Sequence, residues 1–451
     1  YIFGRLVIFH HVGMCRQMTV PEEKSANGTP GEFSLGWTVL LAALLGVTCG
    51  ASPIPFNLIA FTVEPLSAEF GWSRTEIIFP ATIYGLIASF LAPLFGWMAD
   101  RCGVRPVALW SLFAFGIALA AIALTPTGND QTTLYTYYGL WVIIGLVGIG
   151  STPVTWSGAI NLWFFRRRGL ALGIMLLGTS IAALIIPKIA VWAIAGYGWR
   201  NMFAIMALLP LLVALPVAYF LFREPTPAER PKAIGDVDGK LTGMTLSQTI
   251  KGYRFHVMWL SIAIVAGCYA GAFINMPTIL ADKGLTAHTA ASVMGVLGIG
   301  ILVGRLLTGA LLDHFWQGFV AFPLLCLPAI SCVILLGDNV SFTMAAAAAF
   351  FLGFAAGAES DLIAYLAGRY FGMLHYGKIY GTLYMPFGIA SALSSILYAY
   401  VRDVTGSYDA ILIVAFFGFI IGGALLLLLG RYPDDFDASP EVKIETFPSR
   451  G

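Results

Sequence analysis

Gly96-Trp97-Met98-Ala99-Asp100-Arg101-Cys102-Gly103-Val104-Arg105 is a short charged turn between two long apolar runs. The preceding run ends near Met98, and the next begins at Pro106, a residue suited to the first turn of a helix because its missing N–H would be unpaired there anyway. Two arginines and an aspartate in a tight glycine-containing loop therefore mark the place where one apolar helix hands over to another. Read outward from this turn, the rest of the chain falls into the same pattern.

The 451 residues are 58% hydrophobic and 11% charged, and mean hydropathy is +0.83. A soluble core of this size could not hide so much apolar surface. A net charge of +1 gives no ground for a nucleic-acid partner. Cys15, Cys49, Cys102, Cys268, Cys326 and Cys332 are scattered without CxxC spacing and read as small apolar residues, neither disulfides nor metal ligands. The chain opens on Tyr1, and Met14 and Met18 are candidate starts.

Bilayer-crossing helices need about 20 apolar residues. Twelve such stretches lie near 37–62, 75–98, 106–125, 135–158, 169–193 and 201–222, and near 255–280, 288–312, 317–336, 342–367, 379–401 and 410–430. They predict an all-α integral membrane protein with twelve transmembrane helices in two six-helix repeats, the second bundle spanning 255–430 and the first 37–222. Segments 1–36, 223–254 and 431–451 are the N-terminal segment, the central loop and the tail. Lysine and arginine counts orient the chain. Nineteen of 25 fall in segments that share a side with both termini, and four (Arg74, Arg200, Lys283, Arg402) fall opposite. Both termini are expected in the cytoplasm, in a plasma membrane of the bacterial inner-membrane kind. A shift of 213 residues carries Gly96, Asp100 and Arg101 onto Gly309, Asp313 and His314, so the charged turn is echoed where a duplicated fold would repeat it.

Glycines recur at four-residue spacing: Gly46 and Gly50, Gly169 and Gly173, Gly300 and Gly304, Gly353 and Gly357, Gly377 and Gly381. Such pairs let helix backbones approach closely in lipid. Prolines at 53, 55, 153, 187, 277 and 386 predict bends in helices 1, 4, 5, 7 and 11.

The turn at 96–105 resembles the signature loop between helices 2 and 3 of the major facilitator superfamily, Gly-x-x-x-Asp-Arg-x-Gly-x-Arg. The resemblance implies a cytoplasmic latch that binds a neighbouring helix end when the inner gate closes, and it makes Gly96, Asp100, Arg101, Gly103, Arg105 and the echoed Asp313 the expected gating residues. Trp163-Phe164-Phe165-Arg166-Arg167-Arg168-Gly169-Leu170-Ala171-Leu172-Gly173 is similar to the helix 5 pattern of the monocarboxylate transporters and their oxalate/formate antiporter-like relatives. Arg305 resembles the helix 8 arginine that in that group pairs with a substrate carboxylate, and the run from Gly357 to Gly372 resembles helix 10 of bacterial members. There are departures. The acidic residue those transporters carry near the start of helix 1 is missing from Gly46-Val47-Thr48-Cys49-Gly50, and Ile301 stands where an aspartate precedes the arginine. Gly178 is followed by Thr179-Ser180-Ile181-Ala182, unlike the helix 5 pattern of drug/proton antiporters.

Ionisable groups inside spans cost several kcal/mol and commonly face a partner or a water-filled cavity. Arg305, Glu359, Asp361 and Lys188 are in that position. Arg305 stands eight residues before Asp313, about 12 Å along the helix, and Glu359 ten before Arg369, about 15 Å, so the two lie at comparable depth. Arg305 is expected to bind the carboxylate of an organic anion through its planar fork. Glu359 or Asp361 would compensate it when the site is empty and couple a proton on release. Residues two apart point about 200° from each other, so only one of the two acids can face Arg305 well. A permanent structural ion pair is the competing reading. Lys188 reads either as snorkelling to the headgroups or as a second anion contact, which would favour a dicarboxylate. Asn57, Tyr84, Asn275 and Tyr384 are candidate substrate contacts on helices that line the path in the family, with interhelical hydrogen bonding the alternative.

His10, His11, His256, His288, His314 and His375 show no HExxH spacing, and no GxxxxGK[ST] loop occurs, so neither an embedded enzyme, a metal nor ATP drive is expected. No cofactor is expected either. A non-transporting sensor would carry a larger soluble domain than a central loop of about 32 residues. The sequence reading is a transporter of a small organic anion, monocarboxylate-like, coupled to a proton and working as a monomer in the bilayer by alternating access. Exchange of dicarboxylates is the alternative.

Overall fold

The computed structural model describes residues 32–128, 130–226, 229–230 and 241–433. Met14, Met18, Cys15, most of the segment 1–36, the middle of the central loop and the tail from 434 lie outside them.

Among the described residues, eleven apolar helical segments are long enough to cross a membrane. They are α1 (Glu32–Phe70), α2 (Arg74–Cys102), α3 (Val104–Leu124), α4 (Gln131–Trp163), a 54-residue run Arg168–Leu221, α7 (Tyr253–Asp282), α8 (Ala287–His314), α9 (Gln317–Leu336), α10 (Phe342–Phe371), α11 (Tyr376–Thr405) and α12 (Asp409–Leu429). Gly198 breaks the long run with φ 78°, a left-handed conformation that costs glycine little, and divides it into α5 (168–197) and α6 (199–221). The chain is thus a twelve-helix membrane protein of two six-helix repeats.

Prolines act unevenly on these helices. α1 is interrupted between Thr48 and Pro53, and α4 passes through a 3₁₀ turn at Ile149–Ser151 before Pro153. The two breaks meet and satisfy each other. The Ala51 amide donates to the Ser151 hydroxyl at 3.0 Å, the Trp156 indole donates to the Ser151 carbonyl at 2.9 Å, and the Tyr84 hydroxyl donates to the Ala51 carbonyl. Freed backbone groups in an apolar setting need such partners. In contrast, α5, α7 and α11 continue through Pro187, Pro277 and Pro386 without interruption, so the bends expected there at proline do not break those helices.

All five glycine pairs sit at helix contacts. Gly300 and Gly304 of α8 face Phe350 and Phe354 of α10, while Gly353 and Gly357 of α10 face Leu297, Ile301 and Arg305 of α8, so a Cβ at any of the four would strike the opposing backbone. Gly46 and Gly50 make room for Trp156 and Ser151 of α4. Gly169, Gly173, Gly377 and Gly381 lie instead on the seam between the two halves. There α5 meets α8 at Gly309 and Arg305, and α2 meets α11 at Gly96, Ala92 and Pro93. Further along α8, Gly295 and Gly298 have nothing within 4 Å of a built Cβ. The halves are therefore tightly joined at the end bearing the 96–105 turn. At the opposite end the ion pairs stay within a half: Arg200 with Glu69, Arg402 with Asp282, and Lys283 with Asp409.

Candidate functional site

Helices α5 and α11 start on Arg167 and His375 at the N-cap, neither of which supplies a capping side chain. The first amides of a helix have no intrahelical partner, and the usual remedy is a Ser, Thr or Asp oxygen at the N-cap bonding the second and third helical amides. Here that oxygen comes from the other half of the molecule. Asp313, near the end of α8, accepts from Gly169 N at 2.7 Å and Leu170 N at 2.9 Å. Asp100, near the end of α2, accepts from Gly377 N at 2.7 Å and Lys378 N at 2.8 Å. Residues related by the 213-residue shift thus make the same bonds on opposite sides of the seam. Across the same interface Tyr376 Oη lies 3.0 Å from the Ser157 hydroxyl.

The other residues of the charged turn support this arrangement. Gly103 takes φ 91°, and the Val104 amide beyond it donates to Glu224 at 2.5 Å. Arg105 donates to the Tyr219 carbonyl at 2.6 Å and lies over the Tyr219 ring, while Arg101 lies over Trp97. Gly96 sits where α2 crosses α11, and a Cβ on it would strike the Gly377 carbonyl.

About 12 Å along α8 from Asp313 is Arg305. It is 7% exposed, and its Nη1 is 3.6 Å from Oδ1 of Asp361, which is 1% exposed. That distance is an ion pair, too long for a hydrogen bond. Arg305 Nε and Nη1 and both Asp361 oxygens have no hydrogen-bond partner among the described residues. Buried charges are normally saturated with hydrogen bonds, and groups left without them are costly. The pair lies on the seam, where a Cβ on Gly173 of α5 would be 2.9 Å from the Arg305 carbonyl and 3.3 Å from Asp361 Oδ2. Arg305 is thus buried at the seam between the halves.

Of the two acids on α10, Asp361 faces Arg305. Glu359, 3% exposed, points into the second half, where it lines a cavity with Met258, Ser261, Ile262, Val265 and Leu325. About 20 Å³ of that cavity is open to the centre of a water-sized sphere, room for one water. Glu359 also has no hydrogen-bond partner among the described residues.

Tyr384 of α11 lies near both Arg305 and Glu359, and near Tyr84 of α2 across the seam. The remaining sequence candidates do not converge on the pair. Asn57 bonds the Pro53 carbonyl of its own helix at 2.8 Å. Asn275 bonds the Gly271 carbonyl at 2.9 Å and the Ser395 carbonyl at 3.4 Å, tying α7 to α11. Tyr84 serves the break in α1. Lys188 is exposed on α5, fifteen residues beyond Gly173, in the company of exposed Leu184, Ile185 and Trp192. Its second-contact reading has no support in this arrangement.

Sequence reasoning missed two tyrosines. Tyr269 lies near Arg305 and Glu359, and Tyr380, fully buried and with no hydrogen-bond partner for its hydroxyl among the described residues, lies near Asp361 and Arg305. The spacing of Tyr376, Tyr380 and Tyr384 at one helix turn was the available signal. It also missed an acid at the start of helix 1. α1 begins at Glu32, ahead of the expected 37, and so carries a carboxylate on its first turn.

Comparison with known proteins bears on the family and the fold. The sequence model of the Major Facilitator Superfamily matches residues 45–395. Monocarboxylate transporter 13 of Bos taurus is 26% identical over 423 residues, covering 89% of this chain and 91% of its own. The probable sulfoacetate transporter SauU of Cupriavidus necator is 28% identical over 386 residues, covering 78% of this chain and 83% of its own. Among solved structures, the superfamily transporter FucP in its outward conformation superposes with a TM-score of 0.65 at 14% identity, over 87% of this chain and 98% of that one.

Proposed function

The chain belongs to the Major Facilitator Superfamily, and from that premise we propose that it carries a small organic anion with a carboxylate group across the membrane by alternating access, together with a proton. The observation that carries this reading is the Arg305–Asp361 pair, buried, 3.6 Å apart and without hydrogen bonds. An incoming carboxylate offers Arg305 the two parallel hydrogen bonds that Asp361 does not make. Asp361, displaced from its cation in a low-dielectric site, then takes up a proton, so anion and proton enter together and the site's net charge is unchanged. The names of the bovine and Cupriavidus relatives, both transporters of acids, support the substrate class.

With the orientation given by the basic residues, the joined end is cytoplasmic, and the described state is closed toward the inside. Asp100 and Asp313 are the inner latches in this reading. Release into the cell requires both to leave the amides of α11 and α5, which water then takes over. The test is uptake of labelled mono- and dicarboxylates into proteoliposomes with and without an inward proton gradient. Gradient-stimulated uptake of an acid is expected. Uptake driven only by preloaded anion would replace symport by exchange, and no uptake of any acid would refute the carboxylate reading of Arg305.

A further inference from the structure

The starts of α5 and α11 are each gripped a second time, just before the amides that receive the latch aspartates. The consecutive amides of Phe165, Arg166 and Arg167 all converge on the Glu32 carboxylate, at 3.2, 3.0 and 3.2 Å. Glu32 is itself fixed because Phe33 packs on Phe164 with ring centroids 5.0 Å apart, and Gly36 abuts the same ring. At the corresponding place before α11, the amides of Met373 and Leu374 donate to the Thr242 carbonyl at 2.9 and 3.3 Å, and the Met244 amide donates to the Phe371 carbonyl at 2.8 Å. Gly243 and Gly372 form a β-bridge here so close that a Cβ on Gly243 would lie 2.8 Å from the Phe371 carbonyl. Glu32 and Thr242 are 210 residues apart, Phe165 and Met373 are 208 apart, and Asp100 and Asp313 are 213 apart. The two grips are therefore related by the same internal repeat as the two latches, although one uses a side chain and the other a backbone carbonyl.

We propose that Glu32 and the segment Thr242–Met244 are positioning elements of the inner gate, holding the loops before α5 and α11 so that the amides of residues 169–170 and 377–378 point at Asp313 and Asp100. A helix start with no cap of its own tends to fray, and its loop would have to be ordered at every closure. Holding the preceding amides removes that entropy cost in advance. On the α5 side the loop also carries Arg166 and Arg167, next to Arg168 at the helix start and Arg369 of α10, which lies over the Phe165 ring. Glu32 adds the negative charge that lets this basic loop lie against them. One grip is the first residue of α1 and the other lies in the chain that leads into α7, so gate closure is tied to the start of the first helix of each half.

This inference rests on Asp100 and Asp313 being latches, and one experiment separates the two. Ser157 is fully buried on the seam, so Ser157→Cys in a background carrying both Cys15→Ala and Cys102→Ala reports inner-gate opening through its labelling rate with an impermeant maleimide applied to inside-out vesicles. Asp313→Ala and Asp100→Ala should each speed labelling; if neither does, the latch reading itself is wrong. Glu32→Ala should speed labelling roughly fivefold, the scale of a lost cap. Combined with Asp313→Ala it should add little, because both act through one latch, whereas combined with Asp100→Ala the two effects should multiply. Gly243→Ala should pair the opposite way, saturating with Asp100→Ala. Glu32→Asp should restore most of the parent rate, and Glu32→Gln, which keeps one acceptor oxygen, replaces the alanine variant if that fails to insert. Latch variants that speed labelling beside Glu32 variants that leave it unchanged, or Glu32 and Asp313 effects that multiply, would overturn the proposal.

Discussion

Gly377→Ala is the smallest change that sets the two halves against each other. A Cβ at this position would lie 2.5 Å from the Gly96 carbonyl oxygen and 2.8 Å from Oδ1 of Asp100, against an ordinary contact of 3.4 Å or more. One obstacle is backbone and the other is the latch carboxylate itself, so the strain is relieved by separating α2 from α11 by a little under 1 Å. The Asp100–Gly377 bond, now 2.7 Å, would then stretch to about 3.6 Å, beyond hydrogen-bonding range. Bonds to a carboxylate contribute about 1.5–3 kcal/mol each. Both partners meet water on opening and the two bonds together make one helix cap, so losing them shifts the closed-to-open ratio by about 2 kcal/mol, or roughly 30-fold. Helix propensity works the other way, since alanine favours a helix over glycine by about 1 kcal/mol. Faster labelling of Ser157→Cys from the inner side therefore cannot come from a weakened α11. Apparent affinity for an external substrate should fall as the outward-facing population shrinks. A Gly377→Ala protein that labels at the parent rate and transports normally would refute both the seam and the latch as the determinants of closure.

Arg305→Ala should lower carboxylate uptake per unit substrate by on the order of 100-fold, the loss of a bidentate charge-assisted contact, in protein that still inserts. Gly357→Ala places a Cβ 2.9 Å from the Arg305 amide and 3.2 Å from its Cγ, so it should impair uptake severalfold while leaving latch labelling closer to normal, measured on the same preparation. Lys188→Ala should leave monocarboxylate uptake within about twofold, since the lysine is exposed and far from the pair. Outside the membrane, Arg223 and Thr226 hold the Glu229 carboxyl down at about 2 from its ordinary 4.5. A lowered value means its contribution is complete above 4.5 and is lost only as pH falls toward 2, so Glu229→Gln should not change the shape of an uptake profile between pH 5 and 8.

The twelve helices and their two-fold repeat were legible because bilayer length and the 213-residue echo are properties of the chain itself. The site was legible in part. Arg305 stood out as a cation in an apolar run, but choosing between Glu359 and Asp361 required the rotation of α10 about its axis. That rotation was in fact written in the sequence. Gly353, Gly357 and Asp361 recur every four residues and form one stripe, and the glycines of that stripe face α8, so the third member meets Arg305 and Glu359 cannot. The partners of Asp100 and Asp313 were hidden for a different reason. A trans cap joins residues 277 and 144 positions apart, and nothing local names the recipient. The only local trace is negative: α5 and α11 begin with Arg167 and His375 where a capping side chain would ordinarily stand. For Asn57, Tyr84 and Asn275 the structure shows the hydrogen-bonding alternative, because polar groups in an apolar helix bind freed carbonyls, and those carbonyls lie near prolines or on neighbouring helices.

Capping from across the seam makes the closed state cheap to leave. Each half is internally complete, with its own glycine contacts and ion pairs, and what joins the halves at the latch is hydrogen bonding that water can replace. A cap is worth about 0.5–2 kcal/mol, so two of them fall in the range of ordinary coupling energies. The proposed anion site sits on the same helix contact as one of these caps. α8 carries both Arg305 and Asp313, eight residues apart, and α5 carries both Gly173, against the Arg305–Asp361 pair, and Gly169, whose amide Asp313 holds. In the proposed cycle, neutralising the pair therefore changes the packing of the two helices whose ends form the latch. No pathway through other residues is needed, because a shift of α8 against α5 at Gly173 is felt one turn away at Gly169.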